Sequence, residues 1–410
     1  MADVYKWQFA LRFRRHTFGW RSDTPLKRIK EALAEIKQVA RKEPILAAEG
    51  MVLLLEKLSP ALEQVDSSSG AIGSAVNKVI ETAVPLIAKA AVDQTVRQRW
   101  LARLWQALQD DEMPYIESLG DYWGELCVTP EVAAVWVNEF LPVVERVWST
   151  QATDQGYFKG TTACLASLLV AGRHEQLLTL LEHAPFQWWH DRRWGVKALV
   201  AMGRKAEAVR YAEASRGLND PGWQIAQACE AILLSSGLAD EAYQRYAIEA
   251  NQGTTHLATF RAITKKYPNT PREQVLRDLI ASTPGAKGKW FAAAKDAGLY
   301  TLAAELVSNS PTDPRTLIRA ARDFGTEQPE FALVTGMAAL RWVARGHGYE
   351  ITGMDVLAAY DALTLAATCA GINAAELALQ LNQLLAEPAP YADFLRKILD
   401  RRLGIDRGTS

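Results

Sequence analysis

The stretch LLVAGRHEQLLTLL at residues 168–181 recurs in form three more times, as ALVAMGRKAEAVRY at 198–211, AILLSSGLADEAYQRY at 231–246 and FAAAKDAGLYTLAAEL at 291–306. In each, an apolar helical pattern runs into a glycine and a second amphipathic pattern starts directly after it. Gly172, Gly203, Gly237 and Gly298 hold the turn, at spacings of 31, 34 and 61 residues. The last spacing is close to two repeats, and the missing turn falls in KYPNTPREQVLRDL, where Pro268 and Pro271 stand instead of glycine. A helix commonly closes with one residue in the left-handed conformation, which costs glycine least, so glycine between two helical patterns signals a hairpin. Five residues after each glycine come Leu177, Ala208, Ala242 and Ala303. A small residue there lets the second helix approach the first, and Leu177 is the departure. Pro185, Pro221 and Pro311 follow several of the second helices.

Outward from this core, helix signals continue. Asp23 and Thr24 before Pro25 form a cap followed by proline in the first turn. Leu26, Ile29, Leu33, Ile36 and Val39 or Ala40 then make one apolar stripe. Glu43-Pro44 ends that helix and starts another. Further helices are expected at 71–90, 94–109 and 114–126, and Thr129-Pro130 opens the next by the same logic. Near the other end, helices are expected at 330–345, 353–369, 372–386 and 389–403, with Asn373 as a cap. The segment YKWQFALRF at 5–13 alternates with a period of two, which suggests a strand. No second strand lies nearby to pair with it, so an N-terminal helix, or an arm packed on the first helices, is favoured.

At the glycine turns the chain resembles a tetratricopeptide-type array, the helix-turn-helix repeat with a period near 34. The resemblance covers about 155–311. The family's aromatic and glycine signature in the first helix of each repeat is not intact here, and the spacing is irregular. The N-terminal helices are similar in architecture to HEAT-like pairs. The resemblance implies an all-α chain, an α-solenoid of antiparallel helical hairpins. The expected organisation is a basic aromatic arm at 1–22, a helical lobe at 23–150, tetratricopeptide-like repeats at 151–325, a helical cap at 326–404 and a tail at 405–410.

The chain has 410 residues, of which 49% are hydrophobic and 23% charged, with a formal net charge of -1. That composition suits a folded protein and gives no global pull toward nucleic acid or membrane. The charge is uneven: residues 1–50 carry 11 Lys/Arg against 6 Asp/Glu, and residues 51–150 carry 7 against 14. Such asymmetry marks either a docking surface or two solvated faces. Cys127, Cys164, Cys229 and Cys369 are too far apart for a C-x-x-C motif and read as small buried thiols in a reducing compartment. The leading MADVYKWQFALRFRRH lacks the apolar core of a signal peptide, and no window approaches 18 consecutive apolar residues. A cytoplasmic protein without a membrane span is expected.

The chemistry-bearing stretch is FQWWHDRRW at 186–194. Helical spacing puts Trp188 and Arg192 on one side and turns Trp194, with Ala198 and Ala201, toward the hairpin interior. A His190-Asp191 pair resembles part of a metal-dependent hydrolase site, but that chemistry needs further ligands, and His174 and His183 are at no convincing spacing. From 190 to 210, Arg192, Arg193, Lys197, Arg204, Lys205 and Arg210 face only Asp191 and Glu207. Core packing with a solvated basic edge, a protein-binding patch and a nucleic-acid surface all fit this pattern, since arginine neutralises phosphate and tryptophan stacks on bases. The arm RFRRHTFGWR at 12–21 places Arg12, Arg14, Arg15 and Arg21 among Phe13, Phe18 and Trp20. It can grip phosphate, RNA or an acidic partner, or neutralise the acidic lobe of its own chain at 51–150.

Two further stretches resolve blandly. DSSSGAIGSAVN at 66–77 lacks the lysine and the leading strand of a phosphate loop, so it reads as a capping loop. Glu117, Asp121 and Glu125 stand four apart and read as a solvated acidic face. No catalytic motif, metal-ligand spacing or cofactor fingerprint is present. The expected function is a non-enzymatic scaffold or adaptor for a protein or peptide. The partner-binding candidates are Trp188, Arg192, Arg193, Lys197, Arg204 and Lys205, with the basic arm as a second surface. The alternative is a helical-repeat protein that binds nucleic acid through the same basic-aromatic patches.

Overall fold

A computed structural model describes residues 5–149, 157–217 and 221–403. Among them are twenty-one α-helices and no strand, so the protein is all-α. Backbone proximity divides the chain into two compact units, Met1–Pro221 and Gly222–Ser410. The division falls inside the stretch spanned by the glycine turns.

The first unit opens with an arm rather than a strand. Trp7, Phe9, Phe13 and Phe18 are buried, with a single 3-10 turn at Phe9–Leu11. Phe13 meets Phe9 and Phe18 edge to face, the Phe18 ring at a centroid distance of 5.5 Å. Trp7 lies directly on Gly50, where a Cβ would come within 2.4 Å of the indole. The backbone N–H groups of Gln8 and Phe9 donate to the Glu35 carboxylate at 2.8 and 3.1 Å. The period-two pattern at 5–13 therefore records burial of an irregular arm, not strand pairing.

Ten helices follow in this unit: α1 (Asp23–Ala40), α2 (Pro44–Leu62), α3 (Ala71–Lys89), α4 (Gln94–Gln109), α5 (Trp123–Cys127), α6 (Pro130–Val147), α7 (Thr161–Val170), α8 (His174–Glu182), α9 (Trp189–Ala201) and α10 (Lys205–Glu213). The expected stripe of α1 buries Ile29, Leu33 and Ile36. Its cap differs from expectation: the helix already includes Asp23, and Ser22 before it makes no side-chain capping bond. Thr129 does cap α6, its hydroxyl accepting from the Val132 N–H at 3.4 Å. α3 is long and apolar enough to cross a membrane by length and composition. Its apolar stripe, Ile72, Val76, Val79, Ile80, Ala83 and Ile87, is buried, and α1, α2 and α5 pack on it. The stretch expected as one helix at 114–126 is instead a 3-10 segment, Glu117–Tyr122, leading into α5. Buried Asp111 accepts the Tyr115 and Ile116 N–H groups at 3.3 and 2.9 Å, which fixes the chain in an irregular course before it. Trp105, Trp123, Trp136, Phe140 and Phe158 form an aromatic cluster where α4, α5 and α6 meet.

The second unit contains α11 (Gly222–Leu234), α12 (Ala239–Ala250), α13 (His256–Lys266), α14 (Arg272–Ala281), α15 (Phe291–Asp296), α16 (Tyr300–Asn309), α17 (Pro314–Phe324), α18 (Pro329–Ala344), α19 (Gly353–Cys369), α20 (Ala374–Ala386) and α21 (Ala392–Leu403). Buried Glu230 on α11 is fully engaged, accepting from the Asn251 amide, the Tyr267 hydroxyl and the Lys266 ammonium at 2.6 to 2.7 Å. Asn373 caps α20 as expected, accepting from the Glu376 N–H at 2.9 Å.

The turn glycines behave alike in both units. Gly172, Gly203, Gly237 and Gly298 all have φ between 72° and 76°. After each, the next N–H reaches back to the carbonyl five residues earlier, as in Arg204 to Leu199 at 2.8 Å and Leu238 to Leu233 at 3.0 Å. This is the Schellman closure that satisfies carbonyls at a helix end. Each turn joins two helices that pack on each other: α7 with α8, α9 with α10, α11 with α12, α15 with α16. The pair α13 and α14 is joined through Tyr267–Pro271 without glycine, as the proline-containing stretch predicts. Cys127, Cys164 and Cys229 are buried, but Cys369 is exposed, contrary to the expectation of four buried thiols. It lies at the last turn of α19, where the apolar composition of the stretch does not translate into burial.

Candidate functional site

The stretch 186–194 lies at the start of α9. Trp188 is the residue before the helix, and the chain direction there splits three tryptophans between two environments. Trp189 and Trp194 are buried, while Trp188 is 55% exposed. Phe186, 53% exposed, stacks on Trp188 with ring centroids 4.7 Å apart and planes 9° from parallel. Ala198 is buried with Trp194, but Ala201 is exposed, so only part of the expected interior face is covered.

Phe186 and Trp188 form one wall of a cleft of about 370 Å³ within the first unit. Trp148, Tyr157 and Phe158 continue the aromatic lining, and His190, Asp191, Glu117 and Lys159 bring polar groups. These come from sequence positions far apart. The Tyr157 hydroxyl donates to the Glu117 carboxylate, and Arg193 donates to Asp121 at 2.5 Å, fastening α9 to the 3-10 segment. Burial, with the Glu117 carboxylate, pushes the Tyr157 phenol up from its ordinary range. Burial also raises the Asp191 carboxyl, opposed by His190 and Arg193. Lys159 donates to the backbone carbonyls of Gln109 and Asp111 at 3.0 and 2.6 Å.

The sequence-derived basic residues are largely occupied by their own chain. The Arg192 guanidinium lies 4.0 Å over the Tyr211 ring and donates to the Ser215 hydroxyl at 2.7 Å and to Gln187. Lys197 places its ammonium 4.1 Å over the buried Trp194 ring. Arg204 pairs with Glu207 at 2.6 Å and with Glu175 at 3.2 Å. Lys205 is half-buried at the start of α10. Of the six candidates, only Trp188 lines the cleft. On the arm, Arg12 pairs with Glu31 at 2.8 Å, and Arg15 with Glu63 and Glu112 at 3.2 and 3.3 Å. Arg14 and Arg21 are exposed and make no ion pair among the described residues.

His190 has the Thr162 hydroxyl 3.1 Å from Nε2 and the Arg193 guanidinium 3.4 Å from Nδ1. A hydroxyl-imidazole pair built for hydrolysis has a carboxylate at the second nitrogen to orient and stabilise the ring, and here a cation stands there. Among the described residues no group of three or more His, Cys, Asp or Glu side chains is placed to hold a metal ion. Of the expected solvated acidic face, Glu117 and Glu125 are exposed and Asp121 is half-buried, and Glu117 and Asp121 also anchor Tyr157 and Arg193. Tyr157, Lys159 and Trp148 escaped the sequence reading, because no local motif links residues that meet across 40 or more positions.

Comparison with protein-family models, curated proteins and solved structures finds no match. The tetratricopeptide resemblance therefore rests on the glycine turns themselves.

Proposed function

We propose that this chain is a non-enzymatic adaptor that binds a protein or peptide segment, gripping it at the cleft beside Phe186 and Trp188. The observation that carries this reading is the exposed, stacked Phe186–Trp188 pair at the edge of a concave aromatic lining. Two large rings held in one orientation present apolar area with little ordering cost on binding, and tryptophan is enriched at binding hot spots. Arg192, Arg193 and Arg204 hold that surface in place through Tyr211, Asp121 and Glu207 rather than standing free for phosphates. That allocation weighs against phosphate binding at the 190–210 strip, while Arg14 and Arg21 on the arm stay exposed without an ion pair among the described residues. The guanidinium at His190 weighs in the same way against hydrolysis.

The hairpins fit a tetratricopeptide-like α-solenoid within each unit. Successive hairpins pack through their first helices, α7 on α9 in one unit and α13 on α15 in the other. Stacking of that kind yields a rigid scaffold for extended partners. A reducing, cytoplasmic setting accords with thiols buried in the core.

The test is capture of partners by the tagged full chain from extract of its source cells, split into nuclease-treated and untreated halves. A defined protein retained after nuclease supports the adaptor. Recovery of nucleic acid, with proteins lost on digestion, overturns it.

A further inference from the structure

A larger cavity, about 640 Å³, lies wholly within the second unit, between the starts of α13 and α17 and the loop that joins α18 to α19. Its size falls in the range of roughly 300–1,000 Å³ typical of small-molecule sites. The lining is mostly apolar, with Leu257, Phe291 and Pro311 on the walls. Gly288 forms part of the floor and admits no side chain, since a Cβ there would lie 2.4 Å from the Pro311 carbonyl. That floor is fastened by the Gly288 N–H donating to Ser310 at 2.9 Å and the Thr312 hydroxyl donating to the Gly288 carbonyl at 3.1 Å.

The opposite wall is the loop carrying His347 and Tyr349. Its backbone takes positive φ at Gly346, Gly348 and Glu350. Arg315 pins it, donating to the Glu350 carbonyl at 2.8 Å and pairing with Asp355 at 3.2 Å. The Gly288 floor and the backbone of the 346–350 loop are thus each held by hydrogen bonds from neighbouring elements.

The lining carries one lysine, Lys289, and one carboxylate, Asp313. Lys289 lines the cavity and makes no ion pair among the described residues. His256 stands near it, edge-on to Trp290 at 4.6 Å, and burial together with the Lys289 charge keeps that imidazole below the ordinary histidine range. The acidic lining residue is Asp313, and its carboxylate is already engaged, accepting from the Thr316 N–H and hydroxyl at 2.9 and 2.7 Å. The Asp313 charge is met by the N-terminus of α17, which it caps. Lys289 has no such partner among the described residues, so the apolar lining beside it is complementary to an apolar body carrying a single negative group.

We propose that this cavity binds a small organic anion, an aromatic or aliphatic body with one carboxylate or sulfonate, its charged end at Lys289 and its body against Phe291. The experiment is a fluorescence titration of the full chain with 8-anilinonaphthalene-1-sulfonate, alongside its uncharged parent N-phenyl-1-naphthylamine. The expected result is one saturable site for the sulfonate. Lys289→Met weakens it by about tenfold while leaving the uncharged dye unaffected. Ala292→Phe, which fills the chamber, removes both. Lys289 is exposed, so the methionine variant decides the matter even if the filled variant fails to fold. Absence of saturable binding, equal affinity of Lys289→Met for the sulfonate, or loss of binding on Trp188→Ala instead would each overturn the proposal.

Discussion

Phe186 and Trp188 lie face to face, their centroids 4.7 Å apart, while the intervening chain turns into α9 and sends the very next residue, Trp189, into the interior. Adjacent tryptophans thus have different physical roles. Trp188→Ala is expected to change the unfolding free energy by about 1 kcal/mol or less, the size of one exposed ring contact. Trp189→Ala opens a cavity in a packed interior and is expected to cost about 3–5 kcal/mol. Urea denaturation of the two variants checks this; equal losses would contradict the division.

The turn glycines can be tested separately from packing. At Gly203 a Cβ would meet nothing within 4 Å, so the cost of Gly203→Ala is the backbone term alone, about 1–2 kcal/mol for a left-handed residue. Asparagine tolerates that conformation better, so Gly203→Asn is expected to lose less. Gly195 is the contrast, where a Cβ would stand 2.8 Å from the Tyr211 ring. Thermal melts of the three variants should rank Gly203→Asn above Gly203→Ala, with Gly195→Ala shifted by crowding instead of backbone strain. A Gly203→Ala melt at the wild-type temperature would remove the argument for a left-handed turn.

Arg97 is buried and donates to the carbonyls of Ile87, Ala88 and Ala90, closing the end of α3. Arg97→Met keeps the stem but strands those acceptors, at an expected cost of about 3 kcal/mol. Arg97→Lys recovers only part, because one ammonium cannot reproduce the planar fork. Chemical denaturation reads both; a methionine variant as stable as wild type would show that water satisfies these carbonyls.

Asp111 sets a pH dependence. Burial raises its carboxyl pKa, against the opposing donations from Ser59, Ile116 and Tyr115. The folded chain therefore holds that proton more tightly than the unfolded chain does. Stability from this group is greatest below the ordinary aspartate value, about pH 4, and falls as pH rises from there through the raised folded value. Measured against Asp111→Asn across a pH series, the wild-type advantage should decline through that window. An advantage that grows with pH would reverse the sign.

Much of the helical order was legible in the sequence because it is local. The Gly237 turn, the span 94–109 of α4 and the Asn373 cap each depend on residues within one or two helical turns. Legibility stopped where distant side chains decide. The 3-10 course at 117–122 depends on a carboxylate at Asp111, and Cys369 is exposed because of which face of α19 finds neighbours. The cleft itself needs Tyr157 to meet Glu117 and Arg193 to meet Asp121, pairings that no periodicity encodes. The basic strip left packing, protein binding and phosphate binding all open in one dimension; in three, Arg192 closes on Tyr211 and Ser215.

The most direct measurement is quantitative partner capture by the full chain, wild type against the double variant Phe186→Ala/Trp188→Ala, with folding of both verified by their melts. The account predicts that the nuclease-resistant partner is lost from the double variant while the melt moves little. Undiminished capture by that variant would place the binding surface elsewhere and contradict the central claim.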